Sequence, residues 1–293
     1  MSEWFKPAGS TGRDGFEPAV SPGGPGWEHT GLYVVSLAAG ESRDVDTGDC
    51  EWIVLPLSGS AQVTVDGETV SLDGRVSVFA GPSDLAYVPV SSRFTLSSTD
   101  GARIALPHAR AAASYPFRRV AADDVPVELR GAGVASRQVH NFGTPGVLDA
   151  DSIIACEVIT PAGNWSSYPP HKHDEALPGE ETELEEIYYF ELRADSLVAD
   201  GNQPIGYQRV YGTQDRPIDV LAEVRSGDVV LVPHGWHGPA MAPPGYDMYY
   251  LNVMAGPGDE RAWLICDDPT HGWVRTGWDT QKVDPRLPFG GQR

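Results

Sequence analysis

The sequence predicts an all-β protein built as two β-barrel domains, and three observations carry that prediction. Short β-favouring runs bounded by Gly, Pro, Asp or Ser recur through most of the 293 residues. No stretch of four turns has the apolar period of an amphipathic helix. The runs fall into two consecutive blocks of similar texture, separated by an Ala- and Arg-rich connector at 108–124.

Taken in order, residues 1–28 are rich in Gly, Pro and Ser without any period and read as a coil arm that packs on something else. The first barrel, 29–115, holds the runs Leu32–Leu37, Trp52–Leu57, Ala61–Val65, Arg75–Phe79, Leu85–Val90 and Arg93–Leu96. Asp66-Gly67 sits between alternating stretches and supplies the positive φ angles of a two-residue type I′ hairpin. The second barrel, 116–293 with its C-terminal tail, holds Ser152–Ile159, Ile187–Leu192, Tyr207–Tyr211, Asp219–Val224, Asp228–Val232 and Tyr246–Met254.

Charge narrows the function. With 21 Lys and Arg against 41 Asp and Glu, the formal net charge is −20, and such a field repels nucleic-acid phosphates and anionic lipid. Only Lys6, Lys172 and Lys282 are lysine, so an anionic substrate falls to arginine, whose planar fork suits a carboxylate. Cys50, Cys156 and Cys266 are far apart and lack metal or disulfide spacing. No apolar run approaches the roughly 18 to 20 residues of a membrane span, and the N-terminus carries no apolar core of a signal segment. The expectation is a soluble, cytoplasmic protein, free or as a homo-oligomer, that takes a small molecule and neither nucleic acid nor membrane.

Of eight histidines, His171, His173, His234 and His237 cluster, while His29, His108, His140 and His271 are scattered. In a strand, residues i and i+2 share a face, so His171 and His173 project together and Lys172 away from them. Glu186 opens the next run and shares its face with Tyr188 and Phe190, which makes it a third ligand candidate ahead of Glu175, Glu180, Glu181, Glu183 and Glu185. The stretch from Gly227 through Pro233 to Gly235 returns His237 toward the same pocket. The first half has no H-x-H and no histidine near Gly81–Pro89, so a metal-free, scaffolding barrel is expected there.

These residues resemble the two metal motifs of the cupin superfamily, G-x5-H-x-H-x3-4-E and G-x5-P-x-G-x2-H-x3-N. Seven residues rather than five separate Gly163 from His171, twelve separate His173 from Glu186, the second spacing is one short, and no Asn follows. The wider stretches Tyr168–Asp174, Leu184–Phe190, Gln208–Tyr211, Gly227–Pro233 and Pro244–Gly256 resemble the 5-deoxy-glucuronate isomerases of inositol catabolism. The resemblance implies a bicupin of two double-stranded β-helix barrels, with one divalent metal on His171, His173, Glu186 and His237, zinc ahead of manganese or iron. It further implies an intramolecular oxidoreductase that converts 5-deoxy-D-glucuronate, a sugar acid, to 5-dehydro-2-deoxy-D-gluconate through an enediolate. Arg209 and Tyr211, which share a face, and Tyr249 are the candidate catalytic residues. An iron dioxygenase using the same ligands, and a non-catalytic sugar-acid-binding cupin, are the alternatives.

Overall fold

The computed structural model describes residues 2–194 and 201–290. Among them there are strands and short 3-10 segments but no α-helix; the longest helical stretch is the 3-10 segment Gly272–Thr280. A nine-stranded sheet makes up the first half, and a seven-stranded and a six-stranded sheet make up the second.

In the first half the 16-residue strand Cys50–Val65 binds four others. It merges two runs, Trp52–Leu57 and Ala61–Val65, that the sequence presents as separate; the register shift between Gly59 and Ala61 lets one strand bend through both. The hairpin forms where Asp66-Gly67 requires it, with φ of 49° and 85° at the two turn residues and Val65 paired to Glu68. The run Arg75–Phe79 departs from expectation. Its strand ends at Arg75, and Val78–Ala80 is a 3-10 turn whose first N–H groups are capped when Phe79 N–H donates to Ser77 Oγ at 3.0 Å.

Three pairings cross the expected segment limits, one of them Ala19–Val20 of the arm against Thr30–Leu37 of the first half's sheet. Phe5–Lys6 of the N-terminal arm adds to the edge of the second half's sheet beside Val229–Val232. Arg118–Val120 pairs with Leu85–Val88 and extends the first half's sheet.

Three apolar cores follow from strand alternation. One lies within the first half around Trp52, Val63, Phe94 and Leu106. A second lies between the two sheets of the later half around Tyr188, Phe190, Val210, Val224 and Tyr250. The third joins the halves, with Leu32, Ile53 and Tyr87 from one side and Ile187, Tyr189, Leu251 and Val253 from the other. Strand Glu185–Ala194 is therefore buried on both faces over Glu185–Phe190, which is why Ile187, Tyr188, Tyr189 and Phe190 form a consecutive bulky run rather than an alternation.

Polar groups inside the joint between the halves are paired. Arg75 forms a two-pronged ion pair with Glu157, which also accepts from His140 at 3.0 Å and from Tyr249 Oη at 2.6 Å. Glu185 accepts the backbone N–H groups of Glu28, His29 and Thr30 at 2.6–2.9 Å, which fastens the end of the arm to the second half.

Candidate metal centre

His171, His173 and His237 come from different segments to one end of the second-half core. His171 lies in a two-residue strand directly opposite His237 in Trp236–Met241, and His173 follows where that short strand ends. Gly238, at φ 102°, lets the strand after His237 pass so near Ser167 that a Cβ there would sit 1.8 Å from its carbonyl oxygen. Glu186 reaches in from the facing seven-stranded sheet, where it pairs with Val232 and Met254. All four side chains are buried.

Potential ligand nitrogens of the three histidines lie within 4.8 Å of one another. The Nδ1 atoms of His171, His173 and His237 face the carbonyls of Pro169, Leu184 and Gly235 at 3.4, 3.1 and 3.1 Å. That assigns their N–H to Nδ1 and turns Nε2 inward, as a histidine does when a backbone carbonyl orients its ring toward a metal. His173 Nε2 is 3.0 Å from Glu186 Oε2. His237 Nε2 lies 3.1 Å from the same oxygen without reaching hydrogen-bond geometry, and is a buried atom with no hydrogen-bond partner among the described residues.

The electrostatics match that donor set. Burial, reinforced by His237 and His173, holds His171 well below the ordinary histidine range, so it is neutral and ready to ligate. Burial also pulls on His173, but the hydrogen bond and charge of Glu186 outweigh it and raise His173. Burial alone would push Glu186 up; its contacts with His173 and His237 hold it below the usual carboxylate range. A carboxylate and three inward Nε2 atoms, one of them orphaned, fit a divalent cation, which would displace the proton that His173 shares with Glu186.

The competing carboxylates are engaged elsewhere. Asp174, Glu175 and Glu181 surround Lys172 Nζ at 2.6–3.0 Å, so the lysine between the two histidines holds together the long insertion that follows them. Glu185 points to the opposite face from Glu186, toward the arm.

The other sequence candidates lie away from the cluster. Val210 is the residue paired with His237 and points into the core, so its neighbours Arg209 and Tyr211 point out of it. They do share a face, as their spacing requires, but it is the outer one. Arg209 is bound to Asp219 and to the carbonyls of Val210 and Val220, and Tyr211 donates to Asp268. Tyr249 packs in the joint between the halves and donates to Glu157.

A cleft beside the histidines is lined instead by Arg130, Arg137, Tyr188, Tyr250, Ser167 and Trp263, and opens into about 180 Å³ that Ile265 and Arg275 also border. Ser167 Oγ lies 3.0 Å from Tyr188 Oη and 3.2 Å from Tyr250 Oη. Burial raises both phenols, and the charge of Glu186 adds to it at Tyr188, so both stay protonated donors. Gln208, fully buried with neither amide atom partnered among the described residues, faces the same core. Parity with Glu186 and Val210 marks Tyr188 and Gln208 in the sequence. Nothing local marks Arg130, Arg137 or Trp263, which arrive from neighbouring strands and the C-terminal segment.

Fold and site define a class: a cupin-like, all-β chain with curled sheets and a cluster of three histidines and one glutamate between two of them. The KduI/IolB family model matches residues 5–274, and the chain belongs to that family. A 5-deoxy-glucuronate isomerase of Geobacillus kaustophilus is 41% identical over 278 residues, covering 94% of this chain and 96% of that one. One of Bacillus subtilis strain 168 is 40% identical over 243 residues, 82% and 86% of the two chains. The crystal structure of an IolB-like protein from Salmonella typhimurium LT2 superposes with a TM-score of 0.84 at 35% identity, covering 93% of this chain and 99% of that one. Oxalate decarboxylase of Lactobacillus farciminis shares the fold alone, with a TM-score of 0.58 at 12% identity over 83% and 80% of the chains. The chain is thus an enzyme of the isomerase kind. No described helix is long and apolar enough to cross a membrane.

Proposed function

We propose that this enzyme is an aldose–ketose isomerase of myo-inositol catabolism that converts 5-deoxy-D-glucuronate to 5-dehydro-2-deoxy-D-gluconate. The observation that carries the reading is the convergence of three inward Nε2 atoms and one carboxylate, buried beside a cleft, in a chain about 40% identical to isomerases of that name. His171, His173, Glu186 and His237 would hold one divalent metal; imidazoles and a single carboxylate suit zinc, manganese and iron alike, and zinc is the reading put first. When bound, the cation supplies Lewis-acid stabilisation of the charge that develops as a proton leaves the hydroxyl-bearing carbon. The chain's own contribution is positioning: Tyr188 and Tyr250, protonated and coupled through Ser167, donate to substrate oxygens.

On this reading the chain is a bicupin. Its first barrel, 29–115, lacks ligands and serves as scaffold, and its second, 116–293, holds the metal. Three unpaired cysteines suit a reducing cytoplasm.

The test is an anaerobic proton NMR time course with 5-deoxy-D-glucuronate, run with native metal and after chelation. Conversion of the C1 signal to that of a ketose, abolished by chelator and by His171→Ala or His237→Ala, is expected. No conversion in metal-replete protein refutes the substrate assignment. Metal content and turnover both unchanged in the folded histidine variants refute the ligand assignment.

A further inference from the structure

Among the described residues Arg137 is an arginine without an acid. Among the described residues every other arginine except Arg261 lies within ion-pair distance of Asp or Glu, and Arg261 is saturated by the carbonyls of Gly143, Leu148 and Ile153. Arg137 is 5% exposed. It makes one hydrogen bond, Nη1 to the carbonyl of Ala135 at 3.0 Å, and its guanidinium lies 5.3 Å from the ring centre of Trp278.

A guanidinium carries five N–H donors in a fixed fork, so most of this one's hydrogen-bonding capacity is unused in a place nearly sealed from water. Burying an uncompensated charge is costly, and burial does draw Arg137 down to about 10. The neighbouring cations are already neutralised: Arg130 grips Glu128 at 2.7 and 2.8 Å, and Arg275 grips Asp267. Arg137 lines the cleft together with His171 and Glu186. The same lining includes Trp263, whose Nε1 is a second buried donor with no hydrogen-bond partner among the described residues.

We propose that Arg137 is the specificity-determining residue that binds the carboxylate of the substrate through its fork, with the indole N–H of Trp263 as a further donor. This rests on the isomerase reading for the identity of the acid, but not for the binding of a carboxylate. A fork matched to a carboxylate gains two charge-assisted hydrogen bonds. A neutral sugar leaves the same buried charge unpaired, so the site rejects it.

The test is titration calorimetry of the purified protein, its metal content measured, with D-gluconate and with D-glucitol. These open-chain compounds differ only in carboxylate against alcohol, and neither has a carbonyl to isomerise. The wild type is expected to bind gluconate at least tenfold more tightly than glucitol. Arg137→Gln should abolish that difference at unchanged metal content, Arg137→Lys should keep part of it, and Trp263→Phe should weaken gluconate alone. In turnover of 5-deoxy-D-glucuronate, Arg137→Gln should raise KM by tenfold or more with a smaller effect on kcat. Far-UV circular dichroism checks folding, and the lysine variant keeps the test decisive if the glutamine variant misfolds. Equal binding of gluconate by wild type and either folded variant, or equal binding of gluconate and glucitol by the wild type, overturns the proposal. Arg137-dependent gluconate binding without any isomerisation would refute the isomerase reading and leave this inference standing.

Discussion

Replacing Arg75 with leucine tests how the two halves are held together. Arg75 and Glu157, 4% and 1% exposed at their side chains, pair across the joint. The Arg75→Leu variant leaves Glu157 with only Tyr249 and His140 as partners. Removing one member of a buried ion pair costs about 3–5 kcal/mol, because the survivor's charge is left uncompensated. At roughly 2–4 °C per kcal/mol for a chain of somewhat smaller size, the melting temperature should fall on the order of 10 °C at pH 7.

The pH dependence gives a second, independent sign. Burial raises the Glu157 carboxyl, but the charge of Arg75 and hydrogen bonds from His140 and Arg75 outweigh it and hold the group at about 2. Its folded value lies below its unfolded one, so in the wild type it contributes stability above the ordinary carboxylate range, which is lost only as the pH falls toward 2. Without Arg75 the burial effect prevails and the folded value rises above the unfolded one. The variant should then regain stability relative to wild type as the pH is lowered from 7 to 5. Scanning calorimetry at both pH values measures it, with Arg75→Leu/Glu157→Gln expected to recover much of the loss. A drop below about 1 kcal/mol, or a loss that does not shrink at pH 5, would refute the reasoning.

Three further outcomes follow from the placement of single side chains. His108, buried and stacked 3.9 Å from Trp52, is drawn down to about 4 by burial. It should therefore remove up to about 3 kcal/mol of stability as the pH falls from about 6.5 to 4, and denaturant unfolding of His108→Phe should lack that slope. Tyr250→Phe should lower kcat, whereas Tyr249→Phe should leave turnover intact and cost about 1.5–3 kcal/mol through the lost hydrogen bond to Glu157; equal kinetic effects would contradict the opposite faces assigned to them. Gln208→Met should leave thermal stability unchanged or higher, since both amide atoms are unpartnered, and reduced turnover in that variant would mean that the amide contacts substrate.

Much of the site was legible in the sequence because its signals are local. The i, i+2 spacing brings His171 and His173 together, and the face shared by Glu186 and Tyr188 separates Glu186 from Glu185. Asp66-Gly67 names its own turn because few other residues accept those φ angles. Strand parity also says that Arg209 and Tyr211 lie on one face. It does not say which face is inside, because Tyr207, Gln208, Arg209 and Tyr211 all carry polar groups and Val210 is the one apolar residue among them. That question was decided by pairing: Val210 opposes His237, which turns Arg209 and Tyr211 outward and Gln208 inward. Tyr249 and Tyr250 present the same ambiguity in a strand buried on both faces, where hydropathy cannot distinguish the side toward the histidine cluster from the side toward the other half. Arg137 is the extreme case, for nothing in Arg137-Gln-Val-His140 sets it apart from the chain's other arginines. Its lack of an acidic partner is a property of what surrounds it in three dimensions. Most strands, the Asp66-Gly67 turn and the grouping of the three histidines with Glu186 could be read from spacing along the chain; which faces look inward and which charges go unpaired could be read only from the folded protein, because those depend on residues brought near from elsewhere in the fold.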